Sequence, residues 1–143
     1  MNNKTIIDNI SLCDIKISEI HGYGAFATED IAKGTTLCKL DGQYMEWKLY
    51  DKIISIVDEK IKDLKDYFFM EWNAISDETL LVRAVRTKYS FINHSRKPNL
   101  RIEKEGMILF TIKDIYCGEE LLLDYREEPL REEYINGHGK TYL

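Results

Sequence analysis

The sequence predicts a mostly β fold of several small sheets with one inserted helix. Three observations carry this. Apolar and β-branched runs are short, roughly four to eight residues, and glycine or Asp-Gly turns bound them. Only residues 46–66 change period, with apolar side chains every third or fourth position. Late in the chain a hairpin with Gly106 in its loop separates two polar motifs, Asn93-His94-Ser95 and Gly118-Glu119-Glu120.

Length and composition set the frame. The chain has 143 residues, which fits a single domain over 1–143. A hydrophobic fraction of 44% suffices for one modest core, and 31% charged residues indicate solubility. No apolar run approaches the roughly 18 residues of a membrane span. The first residues lack the apolar stretch of a signal peptide, so an intracellular, cytoplasmic protein with no membrane partner is expected. A net charge of −5 argues against direct nucleic-acid binding and suits a cationic peptide partner. Cys13, Cys38 and Cys117 are far apart and odd in number, so they are expected as buried reduced thiols and not as a disulfide or metal framework.

Residues 12–20 partly alternate and read as a strand, which His21-Gly22-Tyr23-Gly24 breaks. Ala25-Phe26-Ala27 resumes a strand, 29–34 is a turn, and Thr35 to Leu40 is a second strand. Asp41-Gly42 turns the chain into the helix, whose apolar face is Leu49, Ile53, Val57, Ile61 and Leu64. Its lysines and acids balance, as on a solvated face. The aromatic run Tyr67 to Trp72 reads as core. Thr79 to Val85 is a β-branched strand. Leu100–Glu103 and Met107–Lys113 flank the Lys104-Glu105-Gly106 turn. Gly118 then leads into a buried strand, Leu121 to Tyr125, with Glu119 and Glu120 facing solvent.

Taken singly, the polar motifs are bland. Asn93 and His94 before Pro98 read as a turn with a satisfied histidine, and Tyr125 as a core tyrosine with a wet hydroxyl. Together, in this order, three segments resemble the SET domain of protein-lysine methyltransferases: Gly22-Tyr23-Gly24-Ala25-Phe26-Ala27, Phe91-Ile92-Asn93-His94-Ser95, and Gly118-Glu119-Glu120 through Tyr125. The likeness covers roughly residues 12 to 125 and is nearest in layout to the small single-domain viral-type enzymes. It implies the β-clip SET fold, with a pseudoknot joining the Asn93 and Tyr125 motifs. It also implies an N-terminal part over 12–45, a variable helical insert over 46–78, a C-terminal part over 79–125, and a tail over 126–143 without zinc cysteines. Tyr134 and Tyr142 of that tail, or a neighbouring subunit, are candidates to cover the site.

The resemblance further implies S-adenosylmethionine as cofactor, bound by Gly22, Tyr23, Gly24, Ala25, Phe26, Asn93, His94 and Tyr125. Tyr125 is the implied catalytic residue, with Tyr67 beside it, and Tyr67, Leu123 and Tyr125 form the implied substrate channel. The implied partner is a protein with a basic, lysine-containing segment, a histone tail included, which would place action in a nucleus. A homodimer is expected, as in the viral enzymes, and no metal site. Leu40 and Leu123 stand where the family often has aromatics, which leaves the degree of methylation open. The alternative function is a non-catalytic SET-like module that binds cofactor or peptide. A metal-binding structural protein would need clustered ligands that the spacing lacks.

Overall fold

The computed structural model describes residues 6–61 and 70–143. A two-residue parallel pair joins β1 (Ile6–Ile7) to β8 (Arg86–Thr87). β2 (Cys13–Ile17) and β3 (Tyr23–Ala27) form an antiparallel hairpin in which Cys13 faces Ala27 and Ile17 faces Tyr23. β4 (Thr36–Lys39) joins β10 (Leu100–Glu103) and β11 (Ile108–Thr111) in a three-stranded sheet of order β10-β11-β4. β5 (Gln43–Glu46), β7 (Thr79–Arg83) and β6 (Glu71–Ala74) form a second, with β7 central. The mostly β expectation is met, with α1 (Trp47–Lys60) as the long helix among the described residues.

The β10–β11 turn shows how local chemistry sets an element. The Glu103 carboxylate accepts from the backbone N–H of Glu105 at 2.8 Å and of Gly106 at 2.7 Å. Met107 closes the turn at φ +52°, a conformation uncommon for a residue with a side chain. Its carbonyl then accepts from Leu40 N–H at 2.8 Å, which docks β4 onto the hairpin.

Several expectations need correction. α1 buries Val57 and half-buries Ile53 and Ile61 as expected, but Leu49 is 49% exposed and Trp47 takes its place at the start of the inward face. Trp47 sets that face because the largest apolar surface gains most from burial. Leu64 lies outside the described residues. β5 and β6 were not expected as strands; both are edges that borrow their ladder from β7. Cys13 is buried, but Cys38 is only half-buried and Cys117 is exposed.

Two apolar clusters form the interior. One gathers Ile10, Ala25, Leu40, Ile92, Leu100, Leu109, Ile115 and Leu121 from both ends of the chain. The other packs Trp47 of α1 on Ala74, Leu80 and Val82 of the β5-β7-β6 sheet, with Trp72 and Tyr134 against it. Trp47 and Trp72 meet edge to face at 4.9 Å, and Arg131 stacks 4.1 Å over Trp47.

Candidate active site

A two-stranded sheet builds the site. β9 (Asn93–His94) lies parallel to β12 (Leu122–Leu123). Ser95 N–H donates to the Leu123 carbonyl at 2.8 Å, and Asn99 N–H to that of Leu122 at 3.2 Å. The Asn99 side chain extends the pairing: its amide donates to Glu120 O and its oxygen accepts from Leu122 N–H, both at 2.8 Å. Asn99 therefore acts as one more rung of backbone. This is the meeting of the two motifs that the expected pseudoknot requires.

The Gly22–Gly24 loop is tied to the same place. Asn93 Nδ2 donates to the carbonyls of His21 at 3.3 Å and Tyr23 at 3.1 Å, and to Glu120 Oε1 at 2.8 Å. Ser18 Oγ donates to Glu120 from the other side at 2.8 Å. Glu120 therefore faces inward, against the solvent-facing expectation. Gly24 leaves it room: a Cβ there would come within 2.2 Å of Glu120 Oε1. Gly22 supplies the left-handed φ of +49° at the loop's start. Tyr23 is exposed, Phe26 half-buried, and Ala25 lies wholly in the apolar core, where its carbonyl accepts from Leu121 N–H at 2.7 Å.

His94 and Tyr125 stand ring to ring at 5.3 Å. Tyr125 N–H donates to His94 Nδ1 at 3.1 Å. Asp124 Oδ1 lies farther, 3.8 Å from the same nitrogen. A ring nitrogen that accepts from an amide carries no proton, so His94 is neutral with its proton on Nε2. Burial agrees, holding its pKa below the usual 6.5. Nε2 is itself buried without a partner among the described residues. The Asp124 carboxyl, bonded by Arg126, is held below the usual range.

The Tyr125 hydroxyl donates to the Ile92 carbonyl. Burial pushes its pKa well above that of an ordinary phenol. At neutral pH it is a neutral hydroxyl whose proton is committed to Ile92, leaving its lone pairs free to accept.

Two larger cavities and one small niche reach Tyr125. One, of about 510 Å³, is lined by Asn93, His94, His21, Ser90, Tyr125 and Tyr142 among others. The second, of about 230 Å³, is lined by Met70, Trp72, Tyr89, Ser90, Tyr125 and Tyr134, with the carboxylates of Glu71 and Glu128. Tyr125 and Ser90 border both. Leu123 is buried and lines a separate niche of about 30 Å³ beside Tyr125. Tyr67 lies outside the described residues. Tyr142 stands edge-on to Tyr125 at 6.3 Å, and its hydroxyl bonds that of Tyr134, so both tail tyrosines reach the site. Among the described residues no group of three or more His, Cys, Asp or Glu is placed to hold a metal ion, and no helix is long and apolar enough to cross a membrane.

Sequence reasoning missed Glu120, Asn99 and Glu128. Each acts through partners distant in the chain, and only the Gly-Glu-Glu and Pro-Asn contexts hinted at the first two.

The chain is 32% identical over 125 residues to the histone-lysine N-methyltransferase trithorax of Drosophila virilis, covering 82% of this chain and 3% of that protein. It is 32% identical over 110 residues to the histone-lysine N-methyltransferase ASHH2 of Arabidopsis thaliana, covering 73% and 6%. It is 33% identical over 117 residues to the H3 lysine-4 specific histone-lysine N-methyltransferase of Schizosaccharomyces pombe, covering 76% and 12%. The chain thus spans a small fraction of each of these relatives. The SET domain profile matches residues 22–126, the stretch that carries the loop, the β9–β12 pair and Tyr125, and the chain belongs to the SET domain family.

Proposed function

We propose that the chain is an S-adenosylmethionine-dependent protein-lysine N-methyltransferase. The observation that carries this reading is the position of Tyr125, at the border of the 510 Å³ and 230 Å³ cavities. A transfer enzyme needs donor and acceptor to meet at one point from separate sides, and this tyrosine borders both spaces.

The larger cavity fits the donor. Its volume lies within the roughly 300–1,000 Å³ of small-molecule sites. The buried, unpartnered His94 Nε2–H offers a donor that a polar ligand atom would satisfy. Asn93 holds the Gly22-Tyr23-Gly24 loop against Glu120, which shapes the wall beside it, and Ala25 and Phe26 support that wall from the core side. S-adenosylmethionine, when bound, would supply a methyl group activated on a sulfonium.

The chain's own residues do the rest. A lysine has an ordinary pKa near 10.4 and must enter as a neutral amine to react. The aromatic walls of the smaller cavity disfavour its charged form by desolvation. Tyr125 cannot be a base, because burial keeps its hydroxyl protonated. It orients: bonded to Ile92, it presents lone pairs to an amine N–H and fixes the attacking nitrogen, the contribution expected of positioning. Leu123 backs this tyrosine, and Tyr67 completes the channel on this reading.

The relatives' names support a protein substrate with a basic lysine-containing segment, histone tails included, and such a substrate would place the chain in a nucleus. A homodimer belongs to the same reading. The test is to incubate the protein with radiolabelled methyl donor and a panel of basic proteins, core histones among them. Labelling of lysine is expected. Cofactor binding without transfer to any lysine would reduce the chain to a binding module, and absence of binding would sink the reading altogether.

A further inference from the structure

Two carboxylates line the smaller cavity, and they differ in what they have left to give. Glu71 is saturated. Arg83 Nε, Thr87 N–H, Thr87 Oγ and Ser90 Oγ all donate to it, and Arg83 neutralises it. Glu128 has no ion-pair partner among the described residues. Its Oε1 accepts from Asn73 Nδ2 at 2.8 Å and the Tyr89 hydroxyl at 3.2 Å, and its Oε2 only from Ala74 N–H at 2.9 Å. A carboxylate has about four acceptor positions, so one remains open on Oε2. The side chain lines the 230 Å³ cavity with Tyr125, and also the 30 Å³ niche that Tyr125 shares.

We propose that Glu128 is the proton acceptor for the substrate lysine, taking the ammonium proton inside the aromatic cavity before methyl transfer. This deepens the methyltransferase reading and rests on it. The N–H bond of the ammonium breaks and an O–H bond forms on Oε2, giving a neutral amine and a neutral carboxylic acid. The amine nitrogen then forms its bond to the methyl carbon as the carbon–sulfur bond of S-adenosylmethionine breaks, and that electron pair stays on sulfur. The product leaves as a methylammonium, and Glu128 returns its proton to water.

The surroundings fit that task. From β7, Arg83, paired with Glu71 of β6, still acts on Glu128 through its charge, and Tyr89 faces it from the turn before β9. From its own side stand Tyr125 and Tyr134, whose hydroxyls feel its charge, and Arg126 and Arg96 line a further cavity together with Glu128. Burial raises the Glu128 pKa above that of an ordinary carboxyl, against the hydrogen bonds from Ala74, Asn73 and Tyr89 and the charge of Arg83, which lower it. A base moved toward the working pH is more effective.

The test is the pH profile of single-turnover methylation of core histones and of poly-L-lysine, from about pH 6 to about pH 10. Glu128→Gln should be roughly tenfold or more slower near neutral pH, with the gap closing toward pH 10, where lysine loses its proton unaided. Equal rates, or the same slowing at every pH, would overturn the proposal. Should Glu128→Gln not fold, Tyr89→Phe decides. It keeps the ring but removes a bond that holds the Glu128 pKa down, so the acid limb should move to higher pH. An unmoved limb overturns the assignment. A wild type that methylates neither acceptor at any pH removes the methyltransferase reading too, whereas an active wild type with unchanged profiles in the variants removes only Glu128.

Discussion

Around Ile10, Leu100, Leu109, Ile115 and Leu121 the interior is almost wholly apolar, whereas beside Leu80 and Val82 the protein buries an ion pair, Glu71–Arg83, with Asn73 between it and Glu128. Asn73 is fully buried, and Glu71 and Arg83 nearly so. The apolar interior holds backbone in place: it fixes β3, β9 and the strand before Tyr125. The polar interior fixes directions, because each hydrogen bond sets an angle as well as a distance. The cavity we assign to the donor meets the first at Tyr125, and the one we assign to the lysine is lined by Glu71 and Glu128 of the second. A scaffold for a bound molecule can be built from packing, but a place to handle a proton needs oriented charge.

The largest effect should come from breaking each interior at its centre. Arg83→Met leaves Glu71 buried and unpaired, which costs about 3–5 kcal/mol, and Leu109→Ala opens a cavity worth about 2–5 kcal/mol. The two should part on acidification. An unpaired buried carboxylate takes up a proton, so the Arg83→Met deficit should shrink from pH 7 to pH 4 while the Leu109→Ala deficit stays constant. Urea melts at both pH values check this, and parallel behaviour would erase the distinction between the interiors.

Asn93→Ala comes next, since Asn93 clamps the Gly22 loop to Glu120. It should weaken S-adenosylhomocysteine binding by about 1–3 kcal/mol, measured by calorimetry. Tyr125→Phe should lower single-turnover rate at least about tenfold, or 1.4 kcal/mol, with cofactor affinity nearly unchanged. Equal rates would strip the hydroxyl of its orienting role.

The smallest effect concerns His94. Its folded pKa is depressed by burial, so below about 6.5 the unfolded chain binds a proton that the folded chain refuses. Stability should therefore fall as pH drops through that value, and His94→Asn should flatten that part of the curve of melting temperature against pH.

Elements with their own local chemistry were legible in the sequence. The β10–β11 hairpin carries its turn in Lys104-Glu105-Gly106, and β7 is mostly apolar and β-branched up to Arg83. Gln43–Glu46 is largely exposed and polar, and it is a strand only because β7 lies beside it. Only the first residue of the α1 face was misplaced, because Leu49 fits the period as well as Trp47 does, and tertiary packing chose the larger ring. At the site, Asn93, His94 and Tyr125 were legible from their motifs. Glu120 was not, because the Ser18 that holds it is 102 positions away. Nor was Glu128, whose partners Asn73 and Tyr89 lie 55 and 39 positions upstream.

The β9–β12 pair has a consequence for how the molecule is made. Two residues bond two residues, in parallel, with a whole hairpin between them. Such a contact closes a loop for little local gain, so it forms late and only on an interior already assembled. A nascent chain that has reached Asn99 has no strand for its amide to bond, because Glu120 and Leu122 are not yet synthesised. The pocket around Tyr125 is therefore completed in the last cooperative step of folding. Loss of the pocket and global melting should coincide on heating, with no half-folded species that still binds a donor.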